Sequence, residues 1–538
     1  MLKHSSRLWL ISLFAGWCID QLFWQKEPGI SFLLTVMLLL GLGMVLAFGE
    51  GMRPAAASTW LLLPAIFFAG MTFGVSEPFT VFVNVLLALT AMAILALALR
   101  SGSWPYYSLV DYGFGMLKLM LSTLILPIKL ISEGQKKPKE DPALGQPQNA
   151  ALRRILLPVV RGLLLALPIV AILAGLLASA DPIFADQLKH LTDFFKLDRL
   201  FEYIFRAVYI AILAYILVGV YGHSLLESAN QKLIGVEKPL LPSFLGWIES
   251  VIILGSVDLL FAFFVSLQFR YFFGGQANIT ITGFTYAEYA RRGFSELVAV
   301  ACISLLLSLG LSTITRRTSL LHSRSFSGLS IGLVALVAVI LVSAFQRLLL
   351  YEAAYGFSRI RTYTHVFIVW LGVLLVATVI LELVKRLRAF ALAALLVSLG
   401  FGLTLNILGV DAFIAQQNVT RAIQGQDLDT GYLYTLSDDA VPTLVDLFHT
   451  ANLPVKIKDD IGATLACRAA GADTPGQDGR VQNRAWPSFH YARSRAENLL
   501  IQNQVLLKAY PVKNTPGEAM TVTVGGKERS CYGSVSLD

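Results

Sequence analysis

The sequence predicts an all-α polytopic membrane protein with about 11 transmembrane helices and a small extracytoplasmic α+β domain at the carboxy terminus. Hydrophobic residues make up 56% of the 538 positions, and charged residues make up only 14%. The mean hydropathy is +0.66, and apolar runs of about 20 residues, the length that crosses the hydrocarbon core of a bilayer, recur along the chain. After Val410 the composition turns polar, so the predicted membrane part ends there.

Eleven apolar runs have the length and composition of transmembrane helices. They cover residues 8–24, 29–48, 58–75, 79–99, 155–178, 204–222, 247–270, 294–314, 326–348, 363–384 and 388–409. The first run resembles a signal peptide, but Trp17 and Asp20 stand where a cleavage site has small residues. We therefore interpret this run as an uncleaved first span.

Two further segments are amphipathic. Residues 103–133 carry one helical stripe of large apolar side chains after an aromatic start, and residues 181–203 combine an apolar face with a charged one. We interpret both as helices lying on the membrane interface, the first on the cytoplasmic side and the second on the outer side.

Basic residues in the loops predict the orientation of the chain. Counting eleven spans from a cytoplasmic amino terminus places three basic clusters on the cytoplasmic side, as the positive-inside rule requires. The clusters contain Lys136, Lys137, Lys139, Arg153 and Arg154; Arg316, Arg317 and Arg324; and Lys385, Arg386 and Arg388. The carboxy-terminal domain then lies outside. Because these clusters account for the net charge of +8, no nucleic-acid partner is expected.

The same interpretation divides the chain into four regions. They are a four-helix membrane region (1–102), a cytoplasmic interfacial helix with a charged linker (103–152), a seven-helix membrane core (153–409) and an extracytoplasmic domain (410–538). In the last region we predict strands within 504–512 and 519–526. Cys467 and Cys531 are predicted to form a disulfide in an oxidising compartment.

Many charged residues are predicted at the outer ends of spans seven to ten. This outer-face cluster comprises Arg270, Glu288, Arg291, Arg292, Glu296, Arg347, Glu352, Arg359, Arg361 and His365. Positive-inside statistics disfavour arginines there, so each is expected to have a partner. Arg292 has an acidic residue four positions away on each side. Glu352 is available to Arg347 or Arg359.

The outer-face cluster has two interpretations. In one, ion pairs and tyrosine hydroxyls hold the helix ends together. In the other, Arg291, Arg292 and Arg361 bind an anion such as a lipid phosphate, an undecaprenyl-type headgroup or a carboxylate, because guanidinium groups bind such anions in bidentate geometry. In both, residues 285–296 are expected to meet the turn 351–365.

Ionisable residues also fall inside the predicted spans. Asp258 lies in the middle of the seventh span, and Glu249 lies nearer the cytoplasm. A carboxyl at that depth is costly unless it is paired or protonated, and both a structural hydrogen bond and a proton or ion role stay open. The "GLSIG" at 328–332 matches a hydrolase motif but lies within a span, where small residues pack between helices. No motif gathers metal ligands, so neither a metal nor a cofactor is expected.

Four segments carry a family resemblance. They are "TYAEYARRGFSELVAVA", "YGFSRIRTYTHVF", "DAFIAQQNVTRA" and "GYLYTLSDDAVPTL". Together they resemble a family of bacterial polytopic membrane proteins classed only as a domain of unknown function, over about residues 150–450. The resemblance implies a bacterial inner-membrane location. Since the family has no established activity, it transfers no catalytic residue.

The preferred functional interpretation is a non-enzymatic membrane scaffold or sensor. It would bind an anionic lipid, an envelope component or a partner protein at its outer face. Two alternatives stay open. A secondary transporter would use Asp258. An outer-leaflet lipid- or glycan-processing enzyme would use Glu288, Glu296 or His365 as its acid or base.

Overall fold

The computed structural model of the protein describes residues 5–135, 197–229, 243–273, 294–472, 485–514 and 519–532, together with residue 233 and parts of 162–186. The chain divides into two compact units. The first comprises Met1–Gln21 and Met120–His223, and the second comprises Leu22–Leu119 and Ser224–Asp538.

Long helices dominate the chain before residue 410. The described helices are α1 (Ser5–Phe23), α2 (Ile30–Gly49), α3 (Ala56–Thr59), α4 (Leu62–Gly74), α5 (Pro78–Ala98), α6 (Leu109–Gln135), α7 (Leu197–Leu226), α8 (Trp247–Phe273), α9 (Phe294–Ile314), α10 (Leu320–Tyr355), α11 (Arg359–Leu383) and α12 (Phe390–Leu408). Ten stretches of described helix are long and apolar enough to cross a membrane. The chain is therefore an all-α polytopic membrane protein, which confirms the predicted fold class.

Nine of these ten stretches coincide with predicted spans, and the tenth is Leu109–Ser132 within α6. The predicted first span forms α1, although α1 is not among the ten. The predicted span 155–178 and the predicted interfacial helix 181–203 lie largely outside the described residues. The interfacial placement of 103–133 stays a prediction.

In the first unit, α6 and α7 run antiparallel in close contact. The His223 Nδ1 atom lies 2.9 Å from the Ser122 hydroxyl, and the Tyr215 hydroxyl donates to the Leu124 carbonyl. An ion pair joins α1 to α7, because Arg206 Nη2 lies 2.5 Å from a carboxylate oxygen of the fully buried Asp20.

In the second unit, one set of helix ends contacts the carboxy-terminal region. These ends are the start of α2, the turn between α4 and α5, and the turn between α10 and α11. The hydrogen bonds run from Ile30 N to Phe489 O (2.9 Å), from Ser76 N to Asp439 Oδ2 (2.9 Å) and from Phe357 N to Asn418 Oδ1 (2.8 Å).

The opposite helix ends of the second unit contact one another. Arg388 Nη2 lies 3.2 Å from Asp111 Oδ2, and Arg317 Nη1 lies 3.2 Å from Glu382 Oε1. Two of the predicted cytoplasmic clusters, at 316–324 and 385–388, lie at these ends. Basic clusters and the carboxy-terminal region therefore occupy opposite ends of the same helices.

The described part of the carboxy-terminal region contains six α-helices and a small sheet. They are α13 (Val410–Ile423), α14 (Thr430–Thr435), α15 (Val441–Phe448), α16 (Val455–Ala472), α17 (Tyr491–Gln502), α18 (Gln504–Leu507), β1 (Val512–Lys513), β2 (Thr521–Val524) and β3 (Lys527–Ser530). The sheet is antiparallel in the order β1-β2-β3. The strand expected within 504–512 is wrong over most of its length, since Gln504–Leu507 is helical.

One hydrophobic core runs from the membrane helices into this region. It joins Val36, Phe68 and Leu87 to Leu433 and Leu444. A second, smaller cluster lies between α16 and the sheet and contains the disulfide between Cys467 and Cys531. The carboxy-terminal region is thus packed directly on the helix ends.

Candidate functional site

Three segments that are distant in sequence meet where the carboxy-terminal region packs on the helix ends. They are the turn before α5, the start of α11, and residues 410–440. Side-chain and backbone hydrogen bonds connect charged and hydroxyl residues of these segments into one group, which we call the helix-end clasp. It consists of Glu77, Arg359, Tyr363, Asp411 and Asp439.

A bidentate ion pair lies at the centre of the clasp. Arg359 donates from Nε to Asp411 Oδ1 at 2.8 Å and from Nη2 to Asp411 Oδ2 at 2.6 Å. Asp411 is completely buried and also accepts the Ser437 backbone N–H at 2.5 Å. Arg359 further donates to the Thr435 carbonyl at 3.1 Å, and its backbone N–H donates to the Tyr432 hydroxyl at 2.9 Å. Parallel charge-assisted hydrogen bonds of this kind fix orientation as well as distance.

Glu77 connects α5 to α11. Its carboxylate caps the first turn of α5 by accepting the backbone N–H groups of Phe79 (3.0 Å) and Thr80 (2.7 Å). The Tyr363 hydroxyl donates to the same carboxylate, and Arg359 Nε lies 4.0 Å from it. The helix start favours a negative charge, because free N–H groups and the helix dipole both stabilise it there.

Asp439 approaches the same helix start from the carboxy-terminal side. Its carboxylate accepts the backbone N–H groups of Ser76 and Glu77, each at 2.9 Å, and its own N–H donates to the Ser76 hydroxyl at 3.2 Å. Burial raises the pKa of Asp439, while the two backbone donors act to lower it. These reciprocal bonds dock residues 438–440 on the turn before α5.

The turn between α10 and α11 is held by α13. Asn418 accepts the Phe357 N–H at 2.8 Å and donates to the Phe357 carbonyl at 3.0 Å. Gly356 has φ 83°, and a Cβ there would lie 2.6 Å from Arg421 Nη1. A left-handed backbone in such close contact requires glycine.

The predicted outer-face cluster is divided into smaller groups. Glu352 is predicted to be available to Arg347 or Arg359, and Arg359 pairs with Asp411. Glu352 is instead buried, with its Oε1 atom 3.1 Å from His365 Nδ1. Arg347 donates to the Gln268 side chain at 3.2 Å. Glu296 lies exposed in the first turn of α9.

Several residues of the cluster lie outside the described residues. They are Glu288, Arg291 and Arg292, together with the side chain of Arg270. The predicted meeting of 285–296 with the turn 351–365 therefore stays a prediction.

The residues predicted inside the spans have different surroundings. Asp258 is half-buried beside α10, where a Cβ on Gly332 would lie 3.5 Å from its Oδ2 atom, and its Oδ1 atom is buried without a hydrogen bond. Glu249 accepts the Gly246 N–H at 2.7 Å at the start of α8. No described residues form a group of three or more His, Cys, Asp or Glu side chains that could hold a metal ion.

Sequence reasoning missed Glu77, Tyr363, Asp411 and Asp439 as site residues. One signal pointed to three of them: Tyr363, Asp411 and Asp439 lie in three of the four quoted family-like segments. These segments converge in the clasp, whereas Glu77 lies outside all four. No local pattern around "SEPFT", residues 76–80, indicates that Glu77 would join them.

A comparison with protein families shows which family the chain matches. A family model described as "Domain of unknown function (DUF4153)" matches residues 62–447, which is more than half of the chain and includes every residue of the clasp. The match begins earlier than the resemblance in the sequence, which starts near residue 150. No curated protein matches the chain, and no solved structure matches it.

Proposed function

Since the chain belongs to the family described as a domain of unknown function (DUF4153), we propose its function from geometry alone. We propose that it is a non-enzymatic scaffold or sensor of a bacterial inner membrane. Its binding face is the end that carries the clasp, and the ligand there is an anionic lipid, an envelope component or a partner protein.

The pairing of the central charges in the clasp carries this proposal. Arg359 is bound in bidentate geometry by Asp411, and Glu77 is bound by backbone donors and by Tyr363. An active site needs an acid or base within reach of a substrate proton. Charges that neutralise one another between elements instead fix the relative position of those elements. The clasp thus supports a rigid platform built from helix ends and the carboxy-terminal region.

We further propose that this platform lies outside the cytoplasm and that the amino terminus lies inside. Two observations support the orientation. The carboxy-terminal region contains the Cys467–Cys531 disulfide, a bond typical of oxidising compartments. The basic clusters at 316–324 and 385–388 lie at the opposite helix ends, as expected for cytoplasmic loops. The division at residues 102, 152 and 409 belongs to the same proposal.

Asp258 favours a second candidate function, secondary transport. Its Oδ1 atom is buried without a hydrogen-bond partner, and the residue lies within the span Trp247–Gln268. An ionisable residue at that depth is typical of proton or ion pathways. A transporter of this kind would need Asp258 for activity, whereas a scaffold would not.

The test uses cells of the native host that lack the chromosomal copy and that show an envelope phenotype. Asp411→Asn breaks the clasp, and Asp258→Asn removes the carboxylate in the span without touching the clasp. The two variants are compared at equal amounts of protein in the membrane. If the protein is a scaffold, we expect Asp258→Asn to restore the wild-type phenotype and Asp411→Asn not to restore it. Restoration by Asp411→Asn but not by Asp258→Asn contradicts the scaffold and supports transport.

A further inference from the structure

Two arginine side chains meet over the turn between α10 and α11. Arg361 donates to the Gly356 carbonyl, and its guanidinium lies over the Tyr351 ring, 4.0 Å from the centroid. Arg421 reaches the same turn from α13 and donates to the Ala353 carbonyl at 2.8 Å. Both guanidinium groups therefore bind neutral carbonyl oxygens at the end of α10.

This arginine pair has an excess of positive charge. Within the part of the chain that the structure describes, neither Arg361 nor Arg421 forms an ion pair with a carboxylate. The neighbouring acids have other partners, since Asp411 binds Arg359 and Glu352 contacts His365. Burial and the charge of Arg361 together lower the pKa of Arg421. Two like charges held together are stabilised by an anion placed between them.

The pair lies at the end of a helix that is longer than the hydrocarbon core is thick. Helix α10 has 36 residues and is roughly 54 Å long at 1.5 Å per residue. The hydrocarbon core is only about 30 Å thick, so the helix extends beyond it. Tyr351 and Tyr355 pack edge to face in the last turn, and Tyr355 is exposed. Tyrosines are enriched at headgroup depth.

We propose that Arg361 and Arg421 bind a phosphate group, presented by the headgroup of an anionic phospholipid. Guanidinium groups suit this ligand because their planar N–H pairs match the oxygens of a phosphate in bidentate geometry. The carbonyl oxygens of Ala353 and Gly356 orient the two side chains, and the Tyr351 ring packs against the guanidinium of Arg361. The site lies beside the clasp on the proposed binding face, so this proposal rests on the proposed function and names one ligand of that face.

The experiment measures thermal unfolding of the full-length protein in a neutral detergent with added lipid. The probes are phosphatidylglycerol, phosphatidylcholine and inorganic phosphate. For wild-type protein we expect phosphatidylglycerol to raise the unfolding temperature more than phosphatidylcholine does. For the double variant Arg361→Gln/Arg421→Gln, we expect the phosphatidylglycerol concentration that gives half of the maximal rise in unfolding temperature to be at least tenfold higher than for wild-type protein. Arg493→Gln is the control, because it removes an arginine that carboxylates already pair, Glu27 at 2.6 Å and Asp438 at 3.8 Å.

The outcomes distinguish the source of the phosphate. A response to inorganic phosphate that equals the response to phosphatidylglycerol, and that the double variant loses, keeps the phosphate site but assigns it to a soluble ligand. An equal response of wild-type protein to both lipids, with none to phosphate, overturns the proposal. So does an unchanged phosphatidylglycerol response in the double variant.

A charge-preserving variant covers the case in which the double glutamine variant does not fold. Arg361→Lys/Arg421→Lys keeps both positive charges but removes the bidentate fork. We expect it to bind phosphatidylglycerol several-fold more weakly than wild-type protein in native mass spectrometry. Equal binding by the two proteins would overturn the assignment of the phosphate to these guanidinium groups.

Discussion

Asp411 shows how one buried carboxylate connects distant parts of a chain. Its two oxygens receive a guanidinium from α11 and a backbone N–H from Ser437. A charge removed from water is costly unless such partners replace the water. The arrangement therefore depends on all of its members being present together.

We predict that Asp411→Asn destabilises the protein by about 2–3 kcal/mol. Removing one partner of a buried pair costs about 3–5 kcal/mol, and the cost is reduced here because the Arg359 side chain is 27% exposed. SDS-induced unfolding in mixed micelles measures the change. The control Arg493→Gln breaks partly exposed ion pairs with Glu27 and Asp438, for which a loss below about 1 kcal/mol is expected. Equal losses of unfolding free energy in the two variants would contradict a stabilising ion pair at the buried Asp411.

We predict that docking of residues 485–502 weakens in acid. Burial, and then the charge of Arg493, lower the pKa of the half-buried His490, whereas Asp438 and the backbone of Thr72 and Val75 act in the opposite direction. The docked imidazole thus binds fewer protons than the released one. The contribution of His490 to the free energy of docking is complete above the ordinary histidine pKa of about 6.5. It is lost as the pH falls through that value towards the lowered pKa.

Hydrogen exchange measures the docking of this segment. Amides of 491–502 should lose protection between pH 8 and pH 5, after correction for the intrinsic exchange rate. The His490→Gln variant should show a smaller change over the same range. An identical pH dependence in wild-type protein and variant would show that His490 is not responsible.

The contact between α6 and α7 depends on small residues. A Cβ on Gly219 would lie 2.3 Å from the Thr123 Cα atom, which is backbone and cannot rotate away. Close helix approach of this kind is a common means of association in membranes, where lipid removes the hydrophobic driving force.

We predict that Gly219→Ala separates these helices and costs about 1–3 kcal/mol, as overpacking usually does. Gly41→Ala in α2 is the matched control, because a Cβ there meets nothing within 4 Å. The control is expected to be neutral or stabilised by up to about 1 kcal/mol, since alanine favours helix more than glycine. Unfolding in mixed micelles measures both. A neutral Gly219→Ala would contradict the close contact.

Spans were predictable from the sequence because hydropathy is a local property. Nine of the predicted spans match helices of spanning length, with ends that differ by a few residues. Leu109–Ser132 shows where this signal is ambiguous, since its length allows a span while its apolar stripe favoured the interface. In the sequence, Asp20 indicates only that the first run lacks a signal-peptide cleavage site. Its partner Arg206 lies 186 residues away, and no local pattern reveals such a pair.

The disulfide is predicted to stabilise the carboxy-terminal region. Cys467 and Cys531 close a loop with a sequence separation of 64, which adds about 4 kcal/mol in the chain-entropy model. Cys467→Ser/Cys531→Ser should therefore release the sheet, and limited proteolysis should cut the chain near 521–530 at a higher rate. Cys302→Ser, which removes a free cysteine, should leave the rate unchanged. Equal rates in all three proteins would contradict this contribution.

The site as a whole was only partly predictable. The position of Arg359 at a helix end and its need for a partner followed from positive-inside statistics. The identity of that partner did not, because Glu352 was nearer in sequence and equally acidic. Asp411 and Glu77 reach Arg359 only through the packing of α13 and α5, and the shared core of helices and carboxy-terminal region determines that packing.

A double-mutant cycle between Arg359 and Asp411 tests the clasp most directly. The cycle compares Arg359→Gln, Asp411→Asn and the double variant with wild-type protein by SDS-induced unfolding in mixed micelles. A bidentate pair that joins α11 to the carboxy-terminal region predicts a coupling energy of about 1.5–3 kcal/mol, within the range for contacting residues. Additivity to within about 0.5 kcal/mol would show that the two residues do not interact. The clasp would then be contradicted.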